Sequence, residues 1–129
     1  MAAPREKEWI EAASAVRRHA VCDRSGFAVG AALEAEDGTL FTGCNVENAS
    51  YGLTVCAERV AVWKALSEGA RRFTGIAIVT DAAEPTPPCG ACRQILWEFV
   101  GDVPVVMATV AGGRKRMRLS QLFPEPFEF

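Results

Sequence analysis

Cys56-Ala57-Glu58-Arg59 and Pro88-Cys89-Gly90-Ala91-Cys92 each stand at the head of a helical stretch, with Ile76-Ala77-Ile78-Val79-Thr80 between them. The first stretch reads as a helix from about Cys56 to Glu68. Val60, Trp63, Ala65 and Leu66 are available to a core, and Gly69 is the stop. The second runs from about Cys89 to Val100 and ends at Gly101. The middle run is short, continuous and apolar, the mark of a strand buried on both faces. Val103 to Val110 is a further strand, and Pro104 near its start is tolerated there. A strand, a helix and a strand in that order read as a crossover, which sets the two strands parallel.

Toward the N-terminus, Trp9, Ala13, Val16 and Ala20 recur at helical spacing, so a helix is predicted from about Pro4 to Ala20. Pro4 suits its first turn. Cys22 to Gly26 is a loop. Phe27 to Glu36 and Thr39 to Asn45 read as two strands joined at Asp37-Gly38, a strong hairpin signal between apolar runs. Val46 to Thr54 holds turn formers with little periodicity and reads as a loop, as does Asp81 to Pro88. Toward the C-terminus, Gly112-Gly113 turns the chain into a last strand, Arg114 to Leu119, antiparallel to the one before it. Pro124 and Pro126 leave Ser120 to Phe129 mostly irregular. The order αββαβαββ predicts an α/β fold, a three-layer α/β/α sandwich around a mixed five-stranded sheet.

A chain of 129 residues predicts a single domain, 1–129. Half of its residues are hydrophobic, and a chain of about this size buries roughly two-thirds of its surface. A net charge of -2 gives no reason to expect a nucleic acid polymer or an anionic membrane as partner. No apolar run approaches membrane-spanning length, and Met1 to Glu8 has no signal-peptide core. A cytoplasmic location is the expectation. Five cysteines then point to metal binding or buried thiols rather than to a disulfide framework.

Cys56, Cys89 and Cys92 fall at predicted helix N-termini. Free N–H groups and the positive end of the helix dipole favour thiolate over thiol there. Cys89 and Cys92 are three apart, so their sulfurs share one face of a first turn. Three thiolates fill three corners of a tetrahedral Zn²⁺ site and leave the fourth for solvent, as in catalytic zinc sites. Glu58 can reach that solvent without being needed as a ligand. A closed structural site would need a fourth ligand, and the remaining candidates are His19, Cys22 and Cys44. None makes a second ligand pair. His19 reads as a surface or capping residue, and Cys22 and Cys44 read as small buried hydrophobes. Three thiolates carry more negative charge than one Zn²⁺ cancels. Arg59 is the candidate to relieve the excess through N–H···S bonds, its bland alternative being a solvated helix residue.

A zinc-bound water can lose its proton near neutral pH, roughly pKa 7 against about 15.7 in bulk. The hydroxide can attack C4 of a cytosine ring. Glu58 would take the proton from water, deliver it to ring N3 and protonate the departing amine. The pattern of Cys or His, then Glu, then Pro-Cys-x-x-Cys is the signature of zinc-dependent nucleobase deaminases.

The chain resembles the small, homotetrameric cytidine deaminases over nearly its whole length. The resemblance rests on Phe27-Ala28-Val29-Gly30-Ala31-Ala32, Gly43-Cys44-Asn45-Val46-Glu47-Asn48, Cys56-Ala57-Glu58-Arg59 and Pro88-Cys89-Gly90-Ala91-Cys92-Arg93-Gln94. It implies one Zn²⁺ per subunit and hydrolytic deamination of cytidine or deoxycytidine, a step of pyrimidine salvage. It implies that Phe27 stacks on the pyrimidine, that Asn45 and Glu47 bond the ribose 3′-hydroxyl, and that the backbone at Ala57 recognises the base carbonyl. Gln94 is expected to support the metal ligands from outside, together with Arg59. Phe127 matches an aromatic that reaches a neighbouring subunit's site, and Ala49, Ser50 and Tyr51 match subunit contacts. Core packing for Phe27 and Phe127, and turn chemistry for Asn45, are the bland alternatives. One departure stands out: Asp23-Arg24-Ser25 replaces the family's Pro-Tyr-Ser. Arg24 is therefore a specificity position, serving an inter-subunit salt bridge or a substrate with an anionic or unusual group.

Three alternatives compete. The blasticidin S deaminases share the zinc motifs, but in that family the Asn-x-Glu pair is missing, so Asn45 and Glu47 favour an ordinary nucleoside. Polynucleotide deaminases need a basic or aromatic groove. The sole basic run here is Arg114, Lys115, Arg116 and Arg118, which reads as a solvated hairpin. An inactive zinc-binding interaction module would not need Glu58. A short, open site lacks walls to exclude water from a small nucleoside. Phe123, Phe127 and Phe129 in the tail could supply them by packing on a neighbour, with closed symmetry as the usual result.

Overall fold

The computed structural model describes residues 5–128. Its sheet is built from runs of small and β-branched residues whose side chains alternate between two faces. Strands β1 (Gly30–Ala35) and β2 (Leu40–Cys44) pair antiparallel across the Asp37-Gly38 turn. Strand β3 (Phe73–Thr80) pairs antiparallel with β1 and parallel with β4 (Pro104–Thr109), and β5 (Arg114–Arg118) follows antiparallel. The order is β2-β1-β3-β4-β5. Helix α1 (Glu6–Arg17) lays Trp9 and Ala13 on Ala32, Ala77, Val79, Val106 and Ala108. Helices α2 (Ala57–Ser67) and α3 (Gly90–Phe99) cover the other face, against Ala31, Leu33, Ile76, Ile78, Val105 and Met107. The expected mixed sheet with a helical layer on either side is what forms.

The expected boundaries shift where a side chain or a distant contact takes over the backbone. Pro4, read as the first helical turn, lies outside the described residues, as does Phe129. Helix α1 ends at Arg17 rather than Ala20 because Val21 leaves to bridge Val46. The first strand starts at Gly30 rather than Phe27. The Asn45 side chain takes the place of a ladder there, accepting from Val29 N at 2.8 Å and donating to Phe27 O at 2.9 Å. Strand β3 begins at Phe73 rather than Ile76, since Phe73 pairs with Ala35 across an irregularity in register. The loop Val46–Thr54 contains a 3₁₀ turn, Tyr51–Leu53. The tail is not wholly irregular: a short helix α4, Leu119–Leu122, buries Leu119 and takes Asp102 as a cap, with Ser120 N donating to Asp102 Oδ1 at 2.9 Å.

Trp63 does not enter the core; it is 45% exposed. Helix α2 instead packs through Ala57, Ala61 and Ala65, spaced four apart and all fully buried. This stripe approaches β2 at Gly43. A Cβ there would lie 2.5 Å from Ala57 O and 2.6 Å from Ala61 N, both backbone atoms that cannot yield without moving the helix. Gly43 thereby sets the depth at which α2 carries Cys56 and Glu58.

Gly43→Ala should cost about 3 kcal/mol, as overpacking against rigid neighbours does. Denaturant unfolding of the two proteins measures this. A variant as stable as the native chain would contradict the close approach.

Candidate metal centre and active site

Helices α2 and α3 begin at one place. Cys56 is the residue that caps α2 and Cys89 the one that caps α3, both in extended conformation. Their sulfurs lie 3.8 Å apart. Cys92, in the first turn of α3, points the same way, and all three sulfurs lie within 4.8 Å of one another. The Cys89 sulfur also accepts from Cys92 N at 3.4 Å, so the ligand itself satisfies an N–H that a helix start leaves open.

The charges around the sulfurs suit a cation. Arg59 Nη2 donates to Cys56 Sγ at 3.4 Å. Arg59 Nε is buried and, among the described residues, has no acceptor. The guanidinium thus spends its charge on sulfur, as expected from the sequence. The Cys92 thiol faces the Cys56 sulfur as a hydrogen-bond donor. That hydrogen bond lowers the Cys56 pKa, aided by Arg59, and with burial raises that of Cys92. Three sulfurs this close, with one already favouring thiolate, fit a thiophilic divalent ion such as zinc.

Glu58 follows Cys56 by two residues and is 5% exposed. Burial, with the neighbouring Cys56 charge as a smaller cause, pushes its carboxyl up to about 7. Glu58, Cys56 and Cys89 line a cavity of about 300 Å³ together with Phe27, Asn45, Glu47 and Ala57. The sequence had named all seven. Ser25, Val29, Thr54, Val55, Ile78, Thr86 and Pro87 complete the walls.

The far wall is braced by the residues that the sequence assigns to the sugar. Asn45 uses one N–H and one lone pair on the Phe27–Val29 backbone and keeps one of each. Glu47 accepts from the backbone N–H groups of Arg24 and Ser25, each at 3.1 Å, and from the Ser25 hydroxyl. The Ser25 bond holds its carboxyl below the usual carboxylate range. Ser25 Oγ in turn accepts from Phe27 N at 3.0 Å. Ser25 is a site residue that sequence reasoning missed; its place two residues before Phe27 was the available signal.

Gln94, expected to support the metal ligands, turns away from them, and Phe127, expected at a neighbouring subunit's site, is not part of this chain's own cavity. Gln94 Nε2 donates to Phe127 O at 3.2 Å and gives no support to the sulfurs. Phe127 lies on the outer side of α3 beside Gln94 and Trp97, 67% exposed. Arg24 stands beyond Glu47, in a cavity of about 380 Å³ that shares Ser25, Glu47 and Thr54 with the main one. Tyr51 lines that outer cavity too.

Residues 4–109 match the family model of the cytidine and deoxycytidylate deaminase zinc-binding region. The chain belongs to that family. It is 47% identical over 122 residues to a cytidine deaminase of Halalkalibacterium halodurans, covering 94% of this chain and 89% of that one. The crystal structure of cytidine deaminase from Burkholderia pseudomallei superposes with a TM-score of 0.91 at 45% identity, over 95% of this chain and 98% of the other. A blasticidin-S deaminase of Bacillus cereus is more distant, 28% identical over 104 residues and 74% of each chain.

Burial of Glu58 sets a pH dependence on the metal-free protein. Below its usual value of 4.5 the carboxyl is neutral whether folded or not. Between there and about 7 the unfolded chain ionises while the folded one keeps its proton, so stability falls as pH rises. Chelator-stripped native protein should lose on the order of 3 kcal/mol more between pH 4 and pH 8 than Glu58→Gln does. Parallel pH profiles in denaturant unfolding would contradict the buried carboxyl.

Proposed function

We infer that the protein is a hydrolytic cytidine deaminase, converting cytidine or deoxycytidine and water to the uridine product and ammonia. The observation that carries this reading is the single cavity onto which two of the three clustered sulfurs and the buried Glu58 carboxyl both open. Family membership supports the same activity.

Cys56, Cys89 and Cys92 would hold one Zn²⁺. When bound, the ion supplies Lewis-acid activation of a water molecule. Glu58 accepts a proton from the attacking water and places it on ring N3 as the C4–O bond forms. It then moves the second proton to the amino group, which leaves as ammonia when the C4–N bond breaks. A buried carboxyl opening on the same cavity as the sulfurs can both take and give a proton there. Arg59 spreads its positive charge over the sulfurs. Phe27 offers its ring to the pyrimidine, the Ala57 backbone its polar groups to the base carbonyl, and Asn45 and Glu47 their spare hydrogen-bonding positions to the 3′-hydroxyl. Arg24 at the outer cavity meets whatever the sugar carries at its far end.

A single domain performs the chemistry, and four chains complete it. Val21, Tyr51, Leu53 and Phe127 are exposed apolar side chains, the first three close to the cavity mouth in sequence or space. Packing them against neighbours would remove them from water and bring a second chain's Phe127 to the site. Five free cysteines suit the reducing cytoplasm, where the activity would serve pyrimidine salvage.

The zinc-loaded protein should deaminate cytidine and deoxycytidine, followed by their ultraviolet change, far faster than blasticidin S. Sedimentation of the active species should give the mass of four chains. Glu58→Gln should keep its zinc and lose roughly 100- to 10,000-fold in kcat, the usual worth of a positioned proton-transfer group. Equal rates for native protein and Glu58→Gln would overturn the mechanism.

A further inference from the structure

The loop that delivers Cys89 is poor in backbone donors. Pro85, Pro87 and Pro88 leave Thr86 as the one backbone N–H donor from 85 to 88. Among the described residues, this stretch makes no hydrogen bond to other backbone groups. Thr86 touches Thr80 through their hydroxyls at 3.3 Å. Pro88 is buried, so its carbonyl needs a partner from elsewhere.

Arg93 is that partner. Its Nε donates to Pro88 O at 2.7 Å, and its Nη1 donates to Leu122 O at 2.5 Å, the last carbonyl of α4. One planar guanidinium therefore ties the residue before Cys89 to the C-terminal segment. Two further residues of α3 grip that segment: Gln94 through Phe127 O, and Trp97 Nε1 through Glu128 Oε2 at 2.8 Å. Neither of these reaches the Pro88 loop. Arg93 is next to Cys92 in sequence, yet among the described residues its side chain donates to these two carbonyls and not to a sulfur.

We propose that Arg93 is a positioning residue for Cys89, a clamp that couples the C-terminal segment to the metal-ligand loop. Removing it leaves the buried Pro88 carbonyl without a donor and frees the turn that aims the Cys89 sulfur. The consequence is faster release of the metal, beyond any general loosening of the tail. This inference rests on the zinc-site reading given above.

The test is the rate at which zinc-loaded full-length protein yields its metal to an excess of a chromophoric chelator, read beside thermal unfolding. Arg93→Met should release zinc at least tenfold faster than native protein. Trp97→Phe, which loses the tail contact and leaves the Pro88 tie, should release it within twofold of native. Arg93→Lys should fall between, since an ammonium lacks the fork that spans both carbonyls; it carries the test if Arg93→Met does not fold. Native release rates in the Arg93 variants would overturn the proposal. So would a Trp97→Phe variant as fast as Arg93→Met, because the effect would then belong to the tail alone. A native chain that takes up no zinc would overturn the zinc-site reading and this inference together, whereas native-like release from the Arg93 variants overturns the clamp alone.

Discussion

Two helices that start at the same point impose the central constraint on this molecule. The N-termini of α2 and α3 each leave N–H groups open and carry the positive end of a dipole, and each is capped by a cysteine whose sulfur faces the other's. Bringing the two positive ends together would be unfavourable with neutral caps. Anionic sulfur makes it favourable, and a cation shared among the sulfurs makes it more so. The remaining features follow from holding that junction. Gly43 lets α2 settle on β2, Ala57, Ala61 and Ala65 keep it there, and Arg59 lies over the sulfur of Cys56.

Two carboxylates in the same cavity meet opposite fates, and the difference is environmental. Glu58 is buried with few compensating donors, so its proton is held to about pH 7. Glu47 is held by Ser25 and the Arg24 and Ser25 backbone, so it stays ionised. One group is thereby suited to carry protons and the other to accept hydrogen bonds. The same fixed Glu47 also anchors, through Ser25, the segment that presents Phe27. The Glu47 and Phe27 walls of the cavity are thus one hydrogen-bonded unit rather than two independent parts.

Local patterns made most of the fold legible. The Asp37-Gly38 turn, the apolar run of β3 and the glycine stops of α2 and α3 act within a few residues of where they are read. The three clustered cysteines and Glu58 were legible for the same reason, since each lies at the start or in the first turn of a helix. What escaped was decided by partners far along the chain. Helix α4 depends on Asp102, eighteen residues before Ser120. Trp63 points outward because Gly43, twenty positions earlier, admits only the alanine face of α2. Phe27 lies outside the first strand because the Asn45 side chain bonds its carbonyl. Gln94 serves the tail rather than the metal, because the tail folds back along α3. No periodicity or spacing in those stretches encodes the contact that governs them.

The claim beneath all of this is that three sulfurs, and no fourth side chain, hold the ion. X-ray absorption at the zinc edge of the purified protein tests it directly. The account predicts three sulfur neighbours at about 2.3 Å and one oxygen neighbour near 2.0 Å. Four sulfurs, or an imidazole signature in place of the oxygen, would contradict it, because either would close the corner that the reaction needs.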